Sequence, residues 1–193
     1  MDDLTQQLLG QLANGGLSQI SQKVGADESA TSSALSVAMP LLVSALANNA
    51  AKPDGAQSLH QALNNDHHET ILNDLPGFLN NPQAANGAGI LGHVLGGQQS
   101  AITQGLSQGT GLDANQIDTL LQVAAPLVMG ALGQQQQQQG LDSGGLSSFL
   151  GGQQQAAQAS NPGLMGTLNR LLDFDGDGSA IDDIIGMVGK FFR

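Results

Sequence analysis

The chain repeats itself, and that repeat limits what it can fold into more than any other feature. Placing Pro40 over Pro126 superimposes Ile20, Ser21 and Gln22 on Leu106, Ser107 and Gln108, then Gly25 and Asp27 on Gly111 and Asp113. The register runs on through Leu35 on Leu121, Val37 on Val123, Ala38 on Ala124, Leu41 on Leu127, Ala45 on Ala131 and Leu46 on Leu132. It reaches back to pair Leu9 and Gly10 with Leu95 and Gly96. With one inserted residue it reaches forward to pair Leu59 and Leu63 with Leu146 and Leu150. Breaker residues matched at the same offsets as apolar ones indicate two copies of one structural unit.

Within each copy the spacing is helical. Leu35, Met39, Leu42 and Leu46 recur at threes and fours, as do Ile117, Leu120, Leu121, Ala124, Val128 and Leu132. Asp113 stands at an N-cap position with Gln116 three residues on, the pattern of a capping box. Asp27, followed by Glu28, takes the same place in the first copy. Pro40 and Pro126 fall inside these helices, where each removes a backbone hydrogen bond and bends the axis. Such kinks set packing geometry more often than they gate a ligand. Gly15-Gly16, Asn48-Asn49 with Pro53, Gly77 and the stretch from Asn80 to Gly89 read as turns. The glutamine tracts 134–139 and 153–155 offer no apolar face, so they are expected as a frayed helix end or exposed linker.

The core alphabet agrees with a helical reading. The chain has five Phe and no Trp or Tyr, so Leu, Ile, Val, Met and Ala must fill the interior, a set that suits close helix packing better than a sheet. The fold class expected is all-α: a multihelical globule of two related repeats, residues 1–88 and 89–160, followed by a C-terminal helix-loop-helix at 161–193. The apolar stretch Ala34 to Ala47 is shorter than the ~20 residues of a membrane span and reads as a buried core helix.

The C-terminal segment carries the most specific chemical pattern. Asn161-Pro162 opens a helix with Asn as cap, and Leu164, Leu168 and Leu171 lead into Asp173, Asp175 and Asp177 ahead of Gly178. Alternating aspartates before a glycine form the first half of an EF-hand-type loop, in which hard Ca²⁺ is met by oxygen ligands. Position 12, where a bidentate Glu closes such a loop, is Ile184. Closure would fall to Asp182 or Asp183, with the carbonyl of Ser179 and water, and weak affinity follows, on the order of 10⁻⁴ to 10⁻³ M. Against a metal, Ser179 with Asp182 is itself a helix start. For it, three crowded carboxylates repel one another unless a cation intervenes. After the loop, Ile181, Ile184, Ile185, Val188 and Phe192 make an apolar stripe that needs a partner surface, most simply the main core.

Charge narrows the partners. Sixteen acids against five bases give a net charge of −11, and no Lys or Arg occurs between Lys52 and Arg170. Nucleic acid and anionic membrane both require cations, so neither is expected as a partner. A protein partner or self-association is the remaining expectation. The absence of cysteine removes disulfides and thiolate chemistry. The acidic N-terminus MDDLTQQLLGQL does not resemble a secretory signal, so cytoplasmic residence is expected, with signal-independent export as the variant.

Enzymatic hardware is not evident. The four histidines are His60, His67, His68 and His93, and Asp66-His67-His68-Glu69 places adjacent histidines on different helix faces and reads as solvated surface. His93 is expected to be partly buried with a structural role. There is no Gly-x-Ser-x-Gly elbow, no strand leading into a Gly-rich phosphate loop and no P-loop lysine. A non-enzymatic binding or scaffold protein is therefore expected.

The tail LLDFDGDGSAIDDIIGMVGK, with the repeated PLLVSALANN and PLVMGALGQQ segments, resembles the bacterial YidB-like family over nearly the whole chain. The resemblance implies a multihelical fold and no activity, substrate or catalytic residue. The Cys-free, Gly-rich, acidic and aromatic-poor composition is also similar to that of harpin-type elicitors, which implies a secreted alternative.

Overall fold

The computed structural model describes residues 4–12, 15–65 and 69–160, all in helices and the turns between them. The C-terminal segment 161–193 lies outside the described residues, and with it the acidic loop and the apolar stripe. In chain order the helices are α1 (Leu4–Leu12), α2 (Gly16–Val24), α3 (Glu28–Ala50), α4 (Pro53–Asn65), α5 (Glu69–Asn73) and α6 (Leu75–Asn80). A 3₁₀ turn at Pro82–Ala85 leads to α7 (Gly87–Val94). A second at Gly96–Gln98 leads to α8 (Gln99–Thr110), α9 (Ala114–Gln139) and α10 (Ser143–Ser160).

The two longest helices begin by the same local chemistry. α2 ends at Gly25 and α8 at Gly111, both left-handed, with their N–H groups donating to the carbonyls of Ser21 and Ser107. Two residues on, Asp27 accepts from the N–H of Ala30 at 2.9 Å and Asp113 from that of Gln116 at 2.9 Å. Gln116 completes the capping box by accepting from the N–H of Asp113 at 3.0 Å. Its amide also donates to the carbonyl of Gly25 at 2.7 Å, tying the start of α9 to the end of α2. Pro40 and Pro126 lie inside helices that continue through them.

α3 and α9 form the centre. Every residue from Leu41 to Ala47 and from Val123 to Gly133 is buried, so these segments are covered on all sides. They pack on one another. α2 packs on both, and so does α8; α10 lies across α3 and α4, while α4, α5 and α7 lie against α9. One continuous apolar core runs from Leu4 in α1 to Leu150 in α10. Both central helices are long and apolar enough to cross a membrane by length and composition, which the reading of Ala34–Ala47 as too short did not anticipate. Their apolar windows are 67% and 78% buried against the rest of the protein, as core helices are.

The glutamine tracts differ from expectation. α9 continues through Gln139, and Gln136 is buried, donating its amide to Asn64 Oδ1 at 3.0 Å. In α10, Gln153 is buried and accepts from the N–H of Leu4 at 3.1 Å, and Gln154 donates to Asn48 Oδ1 at 3.2 Å. A glutamine that finds an amide partner satisfies both ends of a buried polar contact, so these tracts close the core instead of fraying from it.

Candidate functional site

Among the described residues, grooves open beside the central helices, and two of them bear on function. The first, about 510 Å³, lies where the end of α2 meets the turn before α7 and the middle of α9. Lacking an N–H, Pro126 cannot donate to the carbonyl of Gln122 one turn earlier, and Gly87 at the start of α7 packs directly onto that oxygen. A Cβ at position 87 would also lie 2.8 Å from the carbonyl carbon, so only glycine permits the approach. Asn86, left-handed at φ 51°, caps α7 by accepting from the N–H of Gly89 at 3.3 Å. Lys23 closes the rim by donating to the carbonyl of Asn80 at 3.1 Å. The wall residue Gln122 donates to the Asp118 carboxylate at 2.6 Å, which also accepts from Gln99 at 3.0 Å. Three polar groups of the wall, the Asn80 carbonyl, the Asn86 side chain and the Gln122 amide, are therefore already engaged in bonds within the protein.

The second groove, about 380 Å³, is more apolar. Leu46 of α3, Leu59 and Ala62 of α4, Ile90 and Val94 of α7 and Met129 of α9 form its lining, with Asn49, Ser58 and His93 among the polar residues. Asn49 fixes its end wall, donating to the carbonyls of Ala45 at 3.2 Å and Val94 at 2.9 Å, which locks α3 to α7. The close turn between α3 and α4 depends on Gly55, where a Cβ would strike the carbonyl of Asn49. No Asp or Glu is among the lining residues of this groove.

Of the residues singled out by sequence, Asp173, Asp175, Asp177, Ser179, Asp182 and Asp183 lie outside the described residues, as do Asp66, His67 and His68. His60 is half-buried on α4, its Nδ1 3.2 Å from Asn64 Nδ2. His93 corrects the expectation of partial burial. It is exposed on α7 at the second groove, because the buried face of that helix is set by Gly87, Leu91 and Val94. Among the described residues no three His, Asp or Glu side chains come together in a way that could hold a metal ion. Sequence reasoning placed Asn49 in a turn, whereas it lies in the last turn of α3, and it missed the part that Asn49, Asn86 and Gln122 take in the groove walls. The signals were the Asn86-Gly87 dipeptide, which favours a left-handed turn, and the carbonyl that Pro126 must leave free.

No curated protein and no solved structure matches the chain. A family model described as a bacterial protein of unknown function, DUF937, matches residues 6–135, from α1 to the last turns of α9. That match covers most of the chain, which therefore belongs to the DUF937 family, the YidB-like group of bacterial helical proteins.

Proposed function

We propose that this protein is a non-enzymatic helical binding or scaffold protein, built from two related units at 1–88 and 89–160, with a C-terminal helix-loop-helix at 161–193 that takes Ca²⁺ weakly. The observation that carries the binding role is the second groove, an open apolar cleft between α3, α4, α7 and α9 of the kind that accepts one face of an amphipathic helix. Its polar residues Asn49 and Asn86 are engaged in helix-to-helix and capping bonds, which suits a rigid docking surface better than a reacting one.

Support for two related units comes from the paired devices: Gly25 and Gly111 at helix ends, Asp27 and Asp113 at helix starts, Pro40 and Pro126 within. The packing is also reciprocal. α2 touches α9 as α8 touches α3, and α10 lies on α3 as α4 lies on α9. The acidic loop is assigned to Ca²⁺ through Asp173, Asp175, Asp177, the carbonyl of Ser179, and Asp182 or Asp183. The site belongs to a cytoplasmic protein, in which millimolar affinity would leave it mostly empty at rest.

The groove is tested by titrating a synthetic amphipathic Leu-rich helical peptide into the full chain carrying Ile185→Asp and Val188→Asp, so that its own stripe does not compete. Backbone shifts confined to Leu46, Ile90, Val94 and their neighbours, and lost on Ala62→Phe, are expected. Shifts spread over the whole surface, or none, would overturn the binding role. The loop is tested separately by calorimetry with Ca²⁺ on the intact chain and on Asp175→Ala. Saturable binding lost in the variant is expected, and no heat at several millimolar Ca²⁺ overturns the metal assignment.

A further inference from the structure

We infer that the second groove is the seat of the chain's own C-terminal stripe, so that Ile181, Ile185, Val188 and Phe192 dock in cis between α4 and α7. The inference rests on the binding role proposed above and names its resident occupant.

The first argument is shape. In the register that pairs Leu59 and Leu63 with Leu146 and Leu150, Ala62 stands opposite Phe149. Both are partly buried and pack against the core, and Ala62 in addition lines the open groove. The groove thus lies where the first unit has a methyl group and the second has an aromatic ring. The chain has only five Phe, and Phe192 ends the C-terminal stripe. An aromatic delivered from the tail supplies what position 62 lacks.

The second argument is charge. Residues 173–183 hold five aspartates in a chain of net charge −11, so most of the protein's surface repels them. The groove lining has no carboxylate, and His93 is its one titratable side chain. Asp182 and Asp183, at the head of the stripe, meet no like charge among the lining residues.

The third argument is reach. α10 packs on α3 and α4, with Gln154 bonded to Asn48, next in sequence to the groove residue Asn49. Twenty residues, 161–180, separate the end of α10 from Ile181. Even wholly helical they span about 30 Å, most of the ~40 Å diameter of a domain this size, and they reach further where extended.

The absence of cysteine makes the test clean. Full-length chains carrying Ser58→Cys with Gly189→Cys, or Ser33→Cys with Gly189→Cys, are treated with a short bis-maleimide and the intramolecular product is timed. Ser58 is exposed at the groove, and Ser33 is exposed near the other end of α3. Linkage through position 58 should be at least tenfold faster than through position 33, and Ile185→Asp with Val188→Asp, or Ala62→Phe alone, should equalise the two. Equal rates in the unaltered background, or products joining two molecules, would overturn cis docking. Because the peptide titration uses a broken stripe, it can succeed while the cross-link fails. In that case the binding role stands and the occupant is wrong.

Discussion

Ser44 gives the sharpest test of how the centre is packed. It sits in the fully buried stretch of α3, is 1% exposed, and its hydroxyl has no hydrogen-bond partner. A buried polar group without a partner costs about 1–3 kcal/mol relative to water. Ser44→Ala removes that cost and gains roughly 0.5 kcal/mol of helix propensity. Against these stand the few contacts of one oxygen atom, each worth about 0.1–0.2 kcal/mol. The variant should therefore be more stable by about 1–2 kcal/mol, a rise in Tm of roughly 2–8 °C for a chain of this size. Urea unfolding should show a higher midpoint with an unchanged slope, since the surface exposed on unfolding hardly alters. A loss of 1 kcal/mol or more would refute the reasoning. It would mean that the hydroxyl donates to a helix carbonyl one turn back, where Pro40 has disturbed the backbone ladder.

Gly87→Ala should cost about 1–3 kcal/mol in urea unfolding, because the added methyl meets the backbone of Gln122 and cannot rotate away. The penalty should shrink in a Pro126→Ala background, where the Gln122 carbonyl regains an intrahelical donor. Gln116→Glu keeps the acceptor that completes the capping box but loses the donor to Gly25, and should cost about 1 kcal/mol, whereas Gln116→Ala loses both bonds and should cost about 2 kcal/mol. Gln136→Ala should destabilise by about 1 kcal/mol and Gln137→Ala by less than ~0.5 kcal/mol, as thermal melts of the two neighbours will show, since only the first is buried and bonded to Asn64.

The residues that could be read in advance were those whose role is local. An aspartate before a helix, a glutamine three residues later and a glycine after the preceding helix act through nearest neighbours, so Asp27, Asp113, Gln116, Gly25 and Gly111 stand where their spacing places them. Gln136 and Gln153 failed to be read because a polar run hides which member faces inward. Yet Val128, Leu132 and Gln136 continue one spacing of four, and Leu146, Leu150 and Gln153 a spacing of four and three. Extending the apolar stripe through the tract would have found both. The grooves could not be found that way. Each depends on a non-local coincidence: Gly87 reaching Gln122 across thirty-five positions, and Asn49 reaching Val94 across forty-five.

If the second groove exists because Ala62 replaces a ring, then restoring the ring and removing the tail must be coupled. A Phe at position 62 could bury roughly half of the 150–250 Å² that the side chain can cover, about 2.5 kcal/mol at 25 cal/mol/Å². Loss of the alanine's own contacts and of about 1 kcal/mol of rotamer freedom leaves a gain near 1 kcal/mol. That gain should appear in the chain carrying Ile185→Asp and Val188→Asp, where nothing competes for the space. In the chain with its native stripe, the new ring must first displace the tail, so Ala62→Phe should be neutral or destabilising. Urea unfolding of the four chains in this cycle measures the difference directly. A coupling of 1 kcal/mol or more places the stripe and Ala62 in one site. Effects that add within ~0.3–0.5 kcal/mol mean that the two do not share a site, whatever each does alone.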